Sequence, residues 1–391
     1  MTDTHQVWFA SFVAGFGPLV RRLVGRDVPG AGAFGLEDNA LRFECDREPR
    51  QVLAYCRSLF RVLGERGVAP ATAASPAAAR LAGRGGDAAE LLGAAASLFA
   101  RDRDALGAIA FAGPRAPGRG ARSHKGSPSL RDGRGPGGFV LRAFGPDDPA
   151  PLPEAARRGL EEAIARASGA RPDPRGDRRS REYRMQARSD GTVLFLERRD
   201  DGPGRAEEPS RPGELPRTTC RLLAELTDPR PDDVFLDPFC GYGGVALERA
   251  LAAPYRFVFA SDLDPAKVAA VKEALRDRAF ERRRRTFFPK VRDALEASSF
   301  EAGFVDAIAA DPPWGLYEGG PGAEKAAGLL EAFAREAARE LGAGGRLVLL
   351  VGRDQAGQAT EAARGAFGLR ESFDVLISGK KASALRFDRK G

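Results

Sequence analysis

The chain has 391 residues, 43% of them hydrophobic and 29% charged, enough for two or three soluble globular domains at about 150 residues each. Lys and Arg number 61 against 54 Asp and Glu, a net charge of +7 that permits an anionic partner without naming one. Four cysteines without a CxxC pair and only two histidines, His5 and His124, argue against a zinc site or a disulfide framework and for a reducing cytoplasm; no apolar run reaches the roughly 18 residues of a membrane span, and the start lacks a basic region before its apolar stretch, so a soluble, unexported protein is expected.

In chain order, "QVWFASFVAGF" from Gln6 reads as a strand and "GPLVRRLVG" as a helix with Leu19, Leu23 and Val24 on one face. "ALRFECD" reads as a strand and "EPRQVLAYCRSLFRVLGE" as a helix, its apolar residues three and four apart. These elements make a small α+β unit over residues 1–70. An Ala-rich, helical stretch follows, then "PRAPGRGARSHKGSPSLRDGRGPGG", a flexible basic loop at 114–138. "GFVLRAFG" resumes as a strand, "PEAARRGLEEAIARASG" as a helix, and "EYRMQARSDGTVLFLERR" as a hairpin turning at Ser189–Gly191. A Pro- and Gly-rich linker at 201–213 closes a second region, 71–200.

Beyond the linker, residues 214–391 alternate strand and helix: "DVFLDPF", "GGVALERALAA", "RFVFASDLD", "PAKVAAVKEALRDRAF", "VRDAL", "VDAIAADPP", "AAGLLEAFAREAARELG", "GRLVLLVG". This alternation predicts an α/β domain with a mainly parallel sheet, closed by the strands "SFDVLISG" and "SALRFD". Ligands bind such sheets at the carboxyl ends of the strands, and three signals fall there. In "FLDPFCGYGGVALE", Asp237 precedes Gly241, Gly243 and Gly244, which allow a tight turn and close backbone approach; a plain strand-to-helix turn needs the same glycines. In "FVFASDLDP", Asp262 can accept both hydroxyls of a ribose, while capping of the next helix is the plainer role and suits Asp264. In "VRDAL", Asp293 stands where an adenine amine would want an acceptor. No GxxxxGK phosphate cradle is present, so the expected ligand carries a cationic or zwitterionic group beside its ribose, a description that S-adenosylmethionine fits.

The ordered set "LDPFCGYGG", "SDLDP", "VRDAL" and "ADPPWG" resembles the motifs of class I S-adenosylmethionine-dependent methyltransferases that act on exocyclic amines of nucleobases. With "GELPRTTCRLLAEL" upstream, Glu248 after the glycines and "LISGKKASALRF" near the end, the chain is similar to the THUMP-domain tRNA guanosine-N2 methyltransferases. The resemblance implies a Rossmann-like catalytic domain behind a ferredoxin-like and THUMP-like, RNA-binding N-terminal region, with tRNA as partner. It implies S-adenosylmethionine as cofactor, held by Asp237, Pro238, Phe239, Gly241, Gly243, Asp262, Leu263, Asp293, Ala294 and Asp311. Two departures stand out: Tyr242 and Gly244 sit where the family often has Ser and Thr, and "EALRDR" lacks the family's Asn.

For "DPPW" the resemblance assigns catalysis to Asp311, Pro312, Pro313 and Trp314. The Asp311 carboxylate and the Pro312 carbonyl can each accept one N–H of an amine, and the prolines stiffen the loop. Trp314 can stack on an extruded base; a buried strand ending in a Pro-rich turn with Trp314 filling the core is the competing reading. The run Arg282–Arg285 can reach phosphates or form a solvated helix end. Adenine-N6 or cytosine-N4 methylation of rRNA or DNA, and an inert RNA-binding protein of methyltransferase fold, are the alternatives to guanosine-N2 methylation.

Overall fold

A computed structural model of the chain describes residues 6–37, 39–49, 53–67, 85–111, 138–145, 149–176, 180–199, 211–296, 300–314 and 322–391. The basic loop, apart from Gly138, and most of the expected linker lie outside these residues. The elements of the first two hundred residues are β1 (Gln6–Ser11), α1 (Gly17–Asp27), β2 (Gly32–Glu37), β3 (Ala40–Cys45), β4 (Ser58–Gly67), α2 (Gly85–Phe99), α3 (Arg103–Phe111), β5 (Gly138–Phe144), α4 (Glu154–Ser168), β6 (Arg171–Pro172), β7 (Arg181–Ala187) and β8 (Thr192–Arg198). The chain forms two compact units that do not follow chain order. One holds Met1–Phe9, Glu44–Glu48 and Leu59–Asp200, the other Ala10–Phe43, Pro49–Ser58 and Asp201–Gly391.

In the first unit β4, β8, β7, β5 and β6 lie side by side in that order. The β7–β8 hairpin forms where the Asp-Gly signal put it, and α4 carries the chain between parallel β5 and β7. Leu92, Phe99, Ile109, Leu160 and Ile164 of α2, α3 and α4 pack on Leu141, Tyr183, Met185 and Phe195 of the sheet. The expected helix over "EPRQVLAYCRSLFRVLGE" is corrected: Ser58–Gly67 is strand β4, paired antiparallel with β8 and bulged between Val62 and Gly64. The bulge resets which side chains face inward, so burial of Leu59, Phe60 and Leu63 gives a spacing that mimics a helix.

The second unit continues through α5 (Arg217–Leu226), β9 (Val234–Asp237), α6 (Gly244–Ala252), β10 (Phe257–Asp262), α7 (Pro265–Ala274), β11 (Phe287–Val291), β12 (Val305–Ala310), α8 (Gly322–Glu340), β13 (Leu341–Gly352), α9 (Ala356–Ala363), β14 (Phe367–Ile377) and β15 (Lys380–Arg389). Its seven-stranded sheet runs β11-β10-β9-β12-β13-β15-β14. The first five strands are parallel and β15 is antiparallel to both neighbours. Numbered within the unit this is 3-2-1-4-5-7-6, a Rossmann-like order with its reversal between β9 and β12.

Leu330, Phe333, Ala359 and Ala363 of α8 and α9 pack on Ile308, Leu347, Leu349 and Leu385. The third strand is "FFPKV" rather than "VRDAL", which follows it; its internal Pro289 is tolerated because β11 is an edge. No helix links β11 to β12 among the described residues; instead Phe300 and Phe304 cover Phe259, and Phe288 stacks on it.

Residues 14–26 belong to this second unit, on its β14 edge. The Leu376 N–H donates to the Ala14 carbonyl at 3.3 Å, Phe16 meets Phe373 at 5.6 Å, and Arg22 grips Glu371 with two hydrogen bonds of 2.7 and 3.2 Å. Covering that edge prevents pairing with another chain. Gly15 makes the approach possible: its φ is +97°, and a Cβ there would lie 1.9 Å from the Asp374 carbonyl oxygen. Gly15→Ala is expected to cost about 2 kcal/mol or more through overpacking and strain. A lower denaturation midpoint of the whole chain is the expected result; an unchanged midpoint would contradict this docking.

Candidate functional site

Four carboxylates mark the carboxyl ends of four neighbouring strands. Asp237 ends β9, Asp262 ends β10, Asp293 follows β11 by two residues, and Asp311 follows β12 directly. β9 and β12 pair side by side, Leu236 opposite Ile308, where the strand order reverses, the place at which sheets of this kind open a crevice for a ligand.

The turn after Asp237 is fixed by its own backbone. The Cys240 N–H donates to the Ser261 carbonyl at 2.8 Å, and the Gly243 N–H to the Cys240 carbonyl at 2.7 Å. Gly243 has φ +88°, and a Cβ on it would meet Val271 at 2.8 Å; a Cβ on Gly244 would meet the Cys220 sulfur at 2.6 Å. These glycines let α6 start against α7 and α5, so here they serve packing. Gly241, at φ +53°, has open space around its α-carbon, the close-approach position for a ligand. Tyr242 between them carries the Arg211 guanidinium over its ring at 4.5 Å.

Asp237 is 2% exposed, and Pro238 beside it is buried. Burial and the neighbouring Asp311 charge push its carboxyl well above the usual range, against the N–H groups of Ala246 and Phe239, which favour the charged form. Its Oδ2 has no hydrogen-bond partner among the described residues. Phe239 packs edge-on against Phe333 at 5.1 Å and so anchors the turn to α8.

Asp311, half-buried, is pushed up to about 7 by burial, while the Trp314 indole N–H, donating to Oδ1 at 2.9 Å, pulls the other way. Burial disfavours the charged form of both carboxyls, and the Asp311 charge adds to the cost of ionising Asp237. Trp314 is 8% exposed, so in this state the ring fills space as the competing reading of "DPPW" has it, and the indole N–H tethers Asp311. Pro312 is buried and Pro313 exposed. Gly315 lies outside the described residues.

Asp262 accepts the Gly241 N–H at 2.9 Å through Oδ2 and the Asp264 N–H at 2.9 Å through Oδ1, so it ties the glycine turn to β10 and retains acceptor capacity on both oxygens. Asp264 caps α7 by accepting the Ala266 N–H, as the sequence suggested. Asp293 is exposed and accepts the Leu295 N–H at 2.9 Å; Ala294 is buried. Leu263, 67% exposed, and Leu295, 37% exposed, are large apolar side chains left uncovered beside these acids. Leu295 was missed from the sequence, where only its place directly after "RDA" could have signalled it.

The arginine run forms a helix end, one of the two readings the sequence left open. α7 leads away from the carboxyl edge, so residues 282–285 lie at the opposite edge, before β11. Arg283 donates to the Ala250 carbonyl at 2.7 Å and Arg284 to the Leu275 carbonyl at 2.5 Å, so two of the four close helix ends.

Residues 205–381 match the family model described as RMKL-like, methyltransferase domain. Over 139 residues the chain is 32% identical to a tRNA (guanine(10)-N2)-dimethyltransferase of Methanothermobacter thermautotrophicus, covering 35% of this chain and 38% of that protein. Over 218 residues it is 31% identical to a tRNA (guanine(6)-N2)-methyltransferase of Thermus thermophilus, covering 52% of this chain and 58% of that protein. The matches thus span about two fifths and under three fifths of these curated relatives. The fold is similar to TrmN from Thermus thermophilus, with TM-score 0.65 and 21% identity over 99% of this chain and 100% of that one. The turn, the four acids and the strands that carry them all fall within 205–381, the segment that matches the RMKL-like methyltransferase model and has a class I, Rossmann-like fold.

Proposed function

We propose that this protein transfers a methyl group from S-adenosylmethionine to the exocyclic N2 amine of a guanosine in tRNA. The observation that carries the reading is Asp311: a carboxylate held by an indole N–H at the reversal of the sheet, one residue before two prolines, beside the orphaned oxygen of Asp237. The names of the two relatives, both tRNA guanine-N2 methyltransferases, support the substrate.

The residues fit the cofactor. A buried carboxylate oxygen without a partner suits a ligand with a positively charged end, and the free acceptor capacity of Asp262 suits a ribose diol. Leu263, Leu295 and Ala294 offer an apolar surface to an adenine, with Asp293 exposed to accept from its amine. Bound S-adenosylmethionine supplies the methyl group on a sulfonium centre.

The guanine N2 lone pair is delocalised into the ring, so the protein must hold the amine with that lone pair aimed at the methyl. Asp311 Oδ2 accepts one N–H and the Pro312 carbonyl the other; Oδ1 stays on the Trp314 indole and keeps the carboxylate from turning away. Orientation of this kind supplies up to about 7–11 kcal/mol of a bimolecular barrier. Asp311 then receives the proton that N2 sheds once it carries the methyl. Stacking on the base requires Trp314 to open one ring face, at the expense of part of its burial. RNA placement falls to the N-terminal region, residues 1–70 as a ferredoxin-like and 71–200 as a THUMP-like part, where Arg184 lies over Phe60 and Phe144 at 4.5 and 4.3 Å.

Bulk tRNA incubated with labelled S-adenosylmethionine, digested to nucleosides and weighed, is expected to yield N2-methylguanosine, with Asp311→Asn lowering the rate at least about 100-fold. Label in adenosine or cytidine, or none in tRNA, would contradict the substrate. Asp311 acts as the ionised acceptor and its carboxyl titrates high, so kcat/KM is expected to rise with pH through about 7. Trp314→Phe removes the donor that favours the charged form and is expected to shift that rise to higher pH; a flat profile between pH 6 and 8, or a shift downward, would count against Asp311 in this role.

A further inference from the structure

Two arginines beside the glycine turn are held in place by unusual means. Arg211 is exposed, its guanidinium lies over the Tyr242 ring, and among the described residues no carboxylate pairs with it. Tyr242 occupies the position where the resembled family often has serine. Arg217, in the first turn of α5, gives its Nε to the buried Glu248, which Arg221 also approaches at 3.7 Å. The Arg217 side chain is 60% exposed, and its two terminal nitrogens have no hydrogen-bond partner among the described residues.

Immobilising a long side chain costs conformational entropy, which is recovered when a ligand meets a guanidinium already in place. A polyanion is the ligand that needs it here. A base delivered to Asp311 brings its phosphates past Asp262 and Asp311, whose charges repel them. Arginine forks match phosphate oxygens, and stacking on an aromatic ring leaves the edge of the fork free to do so.

We infer that Arg211, stacked on Tyr242, and Arg217, oriented by Glu248, bind the backbone phosphates flanking the target nucleotide of the substrate RNA. The inference rests on the RNA methyltransferase reading above. The exposure of both side chains favours a large ligand lying outside the pocket over the buried end of the cofactor.

The test is binding of unfractionated tRNA to the full chain across a salt series, alongside calorimetry with S-adenosylmethionine alone. Arg211→Ala and Arg217→Ala are each expected to weaken tRNA binding roughly three- to tenfold at about 0.1 M salt and to reduce the slope of log K against log salt by about 1. Tyr242→Ser should match Arg211→Ala, and Tyr242→Phe, which keeps the ring, should bind as the unmodified protein does. Cofactor affinity should stay the same in all four. Unchanged tRNA binding and slope would overturn the inference; so would weakened cofactor binding with tRNA binding intact, which would assign the arginines to the cofactor's carboxylate. If the unmodified protein leaves tRNA unmethylated while the slopes fall as expected, the tRNA-guanosine reading fails and the phosphate contacts stand.

Discussion

The constraint on which the rest depends is the placing of two carboxylates, Asp237 and Asp311, at the tips of adjacent parallel strands where little water reaches. Left to themselves they repel, and burial adds to the cost of ionising either. The reversal of strand order between β9 and β12 puts both tips where sheets of this kind leave a crevice for a ligand. A ligand bearing positive charge relieves the repulsion, and an amine donor uses the remaining acceptor capacity. The site is therefore unfavourable when empty and selective for what fills it.

Much of what holds the two tips fixed lies behind them. Gly243 and Gly244 seat α6 against α7 and α5, Asp262 draws the glycine turn toward β10, and Phe239 locks it to α8. At the opposite edge Asp233 accepts from Arg346 at 2.5 Å and from Arg249 at 3.1 Å, all three buried, which ties β9 to β13 and α6. This buried cluster joins β9, β13 and α6 and so bears on the register of the strands that carry the tips. The N-terminal segment extends the frame: Arg26 reaches the buried Glu225 of α5 at 2.9 Å, and Glu225 also receives Arg221 at 2.9 Å.

Much of the catalytic unit was legible because alternating buried strands and amphipathic helices leave strong periodic signals, and the acids fall at strand ends by simple counting. The failures have physical causes. β4 shows a helical spacing because a bulge shifts its inward face and because its partner β8 lies far along the chain. β11 hid behind Pro289, which an edge strand tolerates. The arginine run left a phosphate contact and a helix end both open, and the direction of α7 carries it to the far edge, where two of its members close helix ends. Trp314 shows the limit most clearly: its place after two prolines is legible, but that its N–H would tether Asp311 depends on side-chain geometry that spacing does not encode.

The central claim, that the crevice holds carboxylates kept partly protonated until a cationic ligand arrives, is tested most directly by proton release. Calorimetry of S-adenosylmethionine binding at pH 7, repeated in buffers of different ionisation enthalpy, counts protons exchanged on binding. The account predicts net release, because a cation beside Asp237 and Asp311 lowers both carboxyls from their raised values, and predicts less release for S-adenosylhomocysteine, which lacks the sulfonium charge. Binding of both ligands with no proton exchanged would mean that the two acids are already ionised, and would contradict it.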